Sequence, residues 1–222
     1  MLLWLMLGAV LGLALDRVER RWQAAERSRG RWRGLACALL LAAAFAGIAC
    51  VYDGALERVE LWAFSCLLLY LSLTDIDAYR IPNGCVGLAL ALRVGYLGLA
   101  CACGFMSLGQ AGGYVLSALA VAALLLLTVL ACDRMLGRES LGGGDFKLFA
   151  VAALYLGWQQ SLLLLPLSCL LGIASSLLWQ RVEGEGEPLT RPFPFGPSIA
   201  LACLASLLWG GPCAAALFGS LS

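Results

Sequence analysis

Between residues 94 and 132 the chain carries no charged side chain. A helix crosses a lipid hydrocarbon core with about 20 apolar residues. That uncharged stretch therefore leaves room for two crossings and the turn between them. Similar runs recur along the whole chain, at 2–15, 34–52, 61–74, 84–103, 112–132, 148–156, 161–179 and 198–218. Inside lipid every backbone polar group must find its partner within the chain, and a helix satisfies them all locally. The expected fold is therefore all-α: a polytopic membrane protein with about eight transmembrane helices. Residues 2–15 and 148–156 are short by this measure. The first can borrow a turn from the amphipathic stretch after it. The second can begin inside the glycine-rich loop before it. Composition agrees, with 62% hydrophobic and 13% charged residues and a mean hydropathy of +0.89. Soluble domains carry roughly 25% charged residues.

Charge sets the expected orientation. Residues 16–33 hold seven arginines, at 17, 20, 21, 27, 29, 31 and 33, against Asp16, Glu19 and Glu26. Loops rich in Lys and Arg stay cytoplasmic. Eight spans with the N-terminus outside put 16–33, 75–83, 133–147 and 180–196 on the cytoplasmic side. Thirteen of the fifteen basic residues then fall there. Asp53, Glu57, Arg58 and Glu60 form an expected outer loop, and Gly157-Trp158-Gln159-Gln160 an expected outer turn. The chain divides into a two-helix N-terminal region, 1–59, and a membrane region, 60–222. Its first 15 residues lack a basic leader and a clear cleavage site, so they read as a retained helix.

Several chemistries are excluded. No histidine is present, which removes Ser-His and Cys-His catalysis and histidine metal ligation. The ten cysteines form no C-x-x-C pair and sit mostly in apolar segments, where they pack as small hydrophobes. Neither a metal nor a cofactor is expected. A net charge of +1 gives no sign of nucleic acid. The expected partners are the lipid bilayer and a protein substrate.

Two short breaks interrupt the apolar pattern. One is Leu73-Thr-Asp75-Ile-Asp77-Ala-Tyr-Arg-Ile-Pro82-Asn83 and the other Leu141-Gly142-Gly143-Gly144-Asp145-Phe-Lys147. Each places a carboxylate at a membrane edge, on the same side. Carboxylates there are costly and usually face water or one another. Asp75 and Asp77 are two residues apart, about 200° around a helix, so only one can face a common partner. Pro82 ends the first break, because the residue before proline avoids helix. Gly142–Gly144 permit close backbone approach. Taken alone, Asp145 reads equally as an N-cap of the following helix.

These breaks resemble the two catalytic motifs of type IV prepilin peptidases, the second being their G-x-G-D-x-K pattern. Pro192-Phe-Pro-Phe-Gly-Pro-Ser-Ile-Ala resembles the family's proline-glycine segment before its last helix. The resemblance runs over about residues 60–215. It implies a membrane aspartic endopeptidase of the cell membrane, with Asp75 and Asp145 catalytic. Such enzymes remove short basic leaders from prepilins and pseudopilins at the cytoplasmic face, cutting after glycine. Gly142, Gly144, Lys147, Pro82 and Asn83 would support the loops or bind substrate. The paired C-x-x-C ligands of larger members have no counterpart here, so N-methyltransferase activity is not expected.

Two adjacent carboxylates cannot both ionise easily, so one keeps a proton near neutral pH. The ionised one would activate water and the protonated one would polarise the scissile carbonyl. Asp77, Glu139 and the glutamates at 183, 185 and 187 are candidate receivers for leader charges. Arg93, about ten residues into its span, is a functional candidate by its depth, and reads more simply as a buried structural contact or a snorkelling residue. The rival reading is an ion- or proton-coupled transporter that uses the same carboxylates.

Overall fold

The computed structural model describes residues 1–22, 32–137, 141–183 and 193–218. Arg27, Arg29, Arg31, Glu139, Glu185, Glu187 and Pro192 lie outside the described residues. Those described form seven helices and no strand. They are α1 (Leu2–Trp22), α2 (Arg33–Val51), α3 (Ala55–Ala78), α4 (Asn83–Ala102), α5 (Leu108–Leu136), α6 (Gly143–Glu183) and α7 (Gly196–Phe218). Five of these, α2 to α6, are long and apolar enough to cross a membrane. The chain is a multi-pass membrane protein.

Helix α6 holds two of the expected segments. Gly157 has φ 70° and ψ −175°, outside any helix and favourable only to glycine. The chain turns back there. The Ser161 hydroxyl reaches the Ala153 carbonyl at 3.4 Å. Eight residues of straight helix would hold those positions about 12 Å apart. A side chain at 157 would also stand 3.1 Å from the Tyr114 ring. The outgoing leg, Gly143 to Leu156, leads away from the first turn at Asp145. The returning leg brings Gly172 against Phe195, and the Ser175 hydroxyl within 3.0 Å of Ser198. The expected turn at 157–160 is thus where the chain reverses.

Helices α1 and α2 pack as a tight antiparallel pair. A Cβ at Gly8 would sit 2.6 Å from the Leu41 carbonyl, and one at Gly12 2.5 Å from that of Cys37. Two glycines four residues apart let helix backbones touch where lipid supplies no hydrophobic drive. The core behind them is aromatic. Trp62 donates its indole N–H to the Phe45 carbonyl at 3.1 Å and stacks on the Phe45 ring. Phe64 stacks on Tyr155 at 3.6 Å between centroids.

The outer loop expected at 53–60 is shorter than that. Helix α3 already begins at Ala55, so Glu57, Arg58 and Glu60 are helical. Glu60 is buried because its partner is Arg93, 2% exposed. The guanidinium reaches Glu60 at 3.0 Å and donates to the Leu154 and Tyr155 carbonyls at 3.1 and 3.2 Å. It also lies 4.6 Å from the Tyr114 ring centre. Those carbonyls belong to the last turn before the Gly157 break, where a cation is favoured. Arg93 is the structural contact expected of it, and it ties α3, α4 and α6 together. Replacing it with alanine leaves Glu60 buried without its counter-charge. Arg93→Ala is expected to destabilise the detergent-solubilised protein by about 3–5 kcal/mol. Thermal unfolding reads this directly.

Candidate active site

Asp75 lies in the last turn of α3, 6% exposed. The helix stops four residues later. Tyr79 takes a left-handed conformation (φ 52°, ψ 37°), and its N–H returns to the Asp75 carbonyl at 2.8 Å. Extended Pro82 then opens α4, as the residue pattern required. Thus the first break is a short connection between two helix ends.

The carboxylate of Asp75 accepts the backbone N–H of Gly196 at 2.7 Å. Gly196 is the first residue of α7, and Phe195 caps the helix by accepting from Ser198 and Ile199. The first N–H groups of a helix have no partner within it, and that end carries positive partial charge. Asp75 therefore sits at a ready anion site. A side chain at 196 would stand 2.9 Å from Asp75 Oδ2, so only glycine fits. Phe195 holds this helix start in place, packed against Phe149 and Phe193. Gly196 was not singled out from sequence, although the Phe-Gly-Pro step before an apolar run carried the signal.

Asp145 lies in the first turn of α6, where Phe146 N–H closes on the Gly142 carbonyl at 3.1 Å. Its Oδ2 bends back over Gly142, 3.1 Å from where a Cβ would be. Both carboxylates thus occupy helix N-termini, Asp145 its own and Asp75 that of α7.

Two contacts lock the breaks together. A Cβ at Gly144 would lie 3.0 Å from that of Ile81, so the α6 backbone rests directly on the first break. Lys147 donates from Nζ to Asn83 Oδ1 at 3.0 Å. Asp75, Asp145, Gly142, Gly144, Lys147, Pro82 and Asn83 therefore converge on one end of the bundle. Asp77 points away and is gripped by Arg33, at 2.9 Å to Oδ1 and 2.7 Å to Oδ2. The half-turn separation of the two acids is realised, and Asp77 is committed to an ion pair. No cluster of metal-ligating side chains exists among the described residues.

Two apolar grooves flank this end. One, of about 190 Å³, lies between α2, α3 and α7 and is lined near the site by Ser72, Ile76 and Pro197. The other, about 580 Å³, opens between α4, α5 and α6 and ends at Asn83, Phe146 and Lys147.

A helix bundle that sets two acids at helix N-termini, beside glycines that let backbones approach, offers paired carboxylates suited to acid–base chemistry. The chain belongs to the Type IV leader peptidase family, whose pattern matches residues 62–177, just over half of its length. It is 36% identical over 144 residues to a prepilin leader peptidase/N-methyltransferase of Aeromonas hydrophila, covering 65% of this chain and 47% of that one. A protein of the same name from Pseudomonas putida is 34% identical over 162 residues, covering 72% and 52%. The chain thus spans about half the length of the curated relatives it matches. No solved structure matches it.

The contact between the breaks can be tested without any substrate. With Ile81→Cys and Gly144→Cys combined, oxidation should form a disulfide in high yield, because paired Cβ atoms must come within about 3.5–4.5 Å. Loss of thiol labelling at both positions measures it. Persistent labelling would separate the motifs.

Proposed function

We propose that this protein is a membrane aspartic endopeptidase that removes basic leaders from type IV prepilin or pseudopilin precursors. Cleavage takes place at the cytoplasmic face of the cell membrane, after a glycine. The observation that carries this reading is the packing of the two motifs that bear Asp75 and Asp145, Gly144 on Ile81 and Lys147 on Asn83, in a chain of the leader peptidase family. The proposal takes only the peptidase half of its relatives' name, and keeps residues 60–222 as the catalytic region.

In this reading the two carboxylates share one proton. The ionised one takes a proton from water as the water oxygen attacks the scissile carbonyl carbon. The protonated one hydrogen-bonds to the carbonyl oxygen. The carbon–nitrogen bond then breaks, and the departing amine takes a proton from the dyad. The open backbone at Gly143 lets an extended peptide lie against Asp145, and Lys147 with Asn83 keeps that loop in register. The flanking grooves allow the apolar helix of a substrate to reach the site from the bilayer.

The arrangement across the membrane belongs to the same proposal. The two legs of α6 count as separate crossings, and together with α1 to α5 and α7 they make eight. The N-terminus lies outside, so the catalytic end lies with Arg80, Arg134 and Lys147 on the cytoplasmic side. The transport reading gains nothing from the family match.

The test is cleavage of a prepilin-like substrate by the protein in membranes. Asp75→Asn and Asp145→Asn should each lower the rate at least about a thousandfold, as expected when one of two cooperating groups is removed. Normal membrane insertion must accompany the loss. Full cleavage by either variant would refute the dyad. Separately, Gly196→Ala should lower kcat by about tenfold or more, since the new methyl displaces the Asp75 carboxylate.

A further inference from the structure

Behind the catalytic end lies a second group of charges that the peptidase reading does not use. At its centre is Arg33, the first residue of α2. Its guanidinium is only 14% exposed. It meets Asp77 through two nitrogens at 2.9 and 2.7 Å, Glu19 at 2.9 Å and Asp16 at 3.1 Å. Arg20 closes the far side of Asp16 at 2.8 Å. Asp16 and Glu19 are 4% and 0% exposed. Three helix ends therefore meet on one side chain: the last turns of α1 and α3 and the first turn of α2. Arg33, Asp16 and Glu19 all precede the stretch that matches the family, 62–177.

Asp77 is the carboxylate two residues beyond Asp75, on the opposite face of the same helical turn. That turn ends in a left-handed tyrosine, and a short extended connection follows. A bidentate Arg–carboxylate pair is geometrically demanding and resists rotation. Whatever fixes the Asp77 carboxylate also fixes the rotation of the α3 terminus, and with it the direction of Asp75. The Arg33 fork supplies that restraint from outside the catalytic helices.

We propose that Arg33 is a positioning residue for the catalytic dyad: through Asp77 it locks the last turn of α3 so that Asp75 faces Asp145. The N-terminal helical pair is then a working part of the active site rather than a separate anchor. This rests on the peptidase reading above.

The experiment uses the full chain in proteoliposomes with a prepilin-like substrate. Wild type, Arg33→Gln, Arg33→Lys, Asp77→Asn and the Arg33→Gln/Asp77→Asn double variant are compared for kcat and KM, with thermal unfolding to score the folded fraction. Asp75→Asn is the inactive control. Arg33→Gln should lower kcat of the folded fraction at least tenfold, with KM within twofold. Arg33→Lys should recover part of that loss. The double variant should be little worse than either single one, because both remove one restraint. Unchanged kcat in folded Arg33→Gln would overturn the proposal. So would a change in KM alone, which makes Arg33 a leader-binding residue, or strictly additive losses. If Arg33→Gln does not fold, Arg33→Lys and Asp77→Asn decide the matter by the same kcat criterion. An activity-free measurement stands beside these. The disulfide between cysteines placed at 81 and 144 should form at least threefold less completely in the Asp77→Asn background. An undiminished cross-link refutes the positioning role. A wild type that cleaves nothing refutes the peptidase reading instead, and the cross-link still decides the role of Arg33.

Discussion

A carboxylate held in an apolar helix bundle must be compensated, and the acids buried here are compensated in three ways. Glu60 meets a guanidinium that also takes backbone carbonyls. Asp16, Glu19 and Asp77 share another guanidinium, that of Arg33. Asp75 instead receives a backbone N–H at the start of α7. The difference matters chemically. A guanidinium holds its partner ionised and saturates its lone pairs. A single N–H at a helix end orients a carboxylate while leaving it room to exchange a proton. Asp145, at the start of α6 and half-exposed, is left similarly open. The two acids proposed as catalytic are thus ones that, among the described residues, no guanidinium neutralises.

Glycine determines how closely the surrounding backbones approach. Gly196 must lack a Cβ for Asp75 to reach the helix end, and at Gly144 a Cβ would press on that of Ile81, 3.0 Å away. At Gly157 the need is different, because the backbone itself is left-handed. That reversal returns the second leg of α6 to the end where Asp75 lies, and there Gly172 receives Phe195 and seats the first turn of α7. The hydrogen bond from Gly196 to Asp75 therefore depends on a turn at the far end of the bundle.

The helical class and most helix bounds were legible because apolar runs in lipid leave the backbone few alternatives. The turn at 157–160 was legible from Gly-Trp-Gln-Gln. The packing of the two motifs that carry Asp75 and Asp145 at one end of the bundle is what their glycines and Pro82 led one to expect. What failed was charge reading. Glu57, Arg58 and Glu60 looked like a loop, yet Glu60 is buried because a partner 33 residues away neutralises it. Arg33 looked like one of several solvated arginines and is instead the centre of an ion-pair cluster. No local pattern records such pairings, since they are made between helices. Gly196 lay within a recognised segment, but its role appears only once α7 is docked against α3.

The most direct measurement is the pH dependence of single-turnover cleavage by the wild-type protein in membranes. A dyad that needs one carboxylate ionised and the other protonated predicts a bell-shaped profile with two limbs, whose apparent pKa values belong to the pair. Replacing either aspartate should abolish the profile rather than shift one limb. A rate with only one limb, or one flat across the carboxylate range, would contradict a shared proton between Asp75 and Asp145.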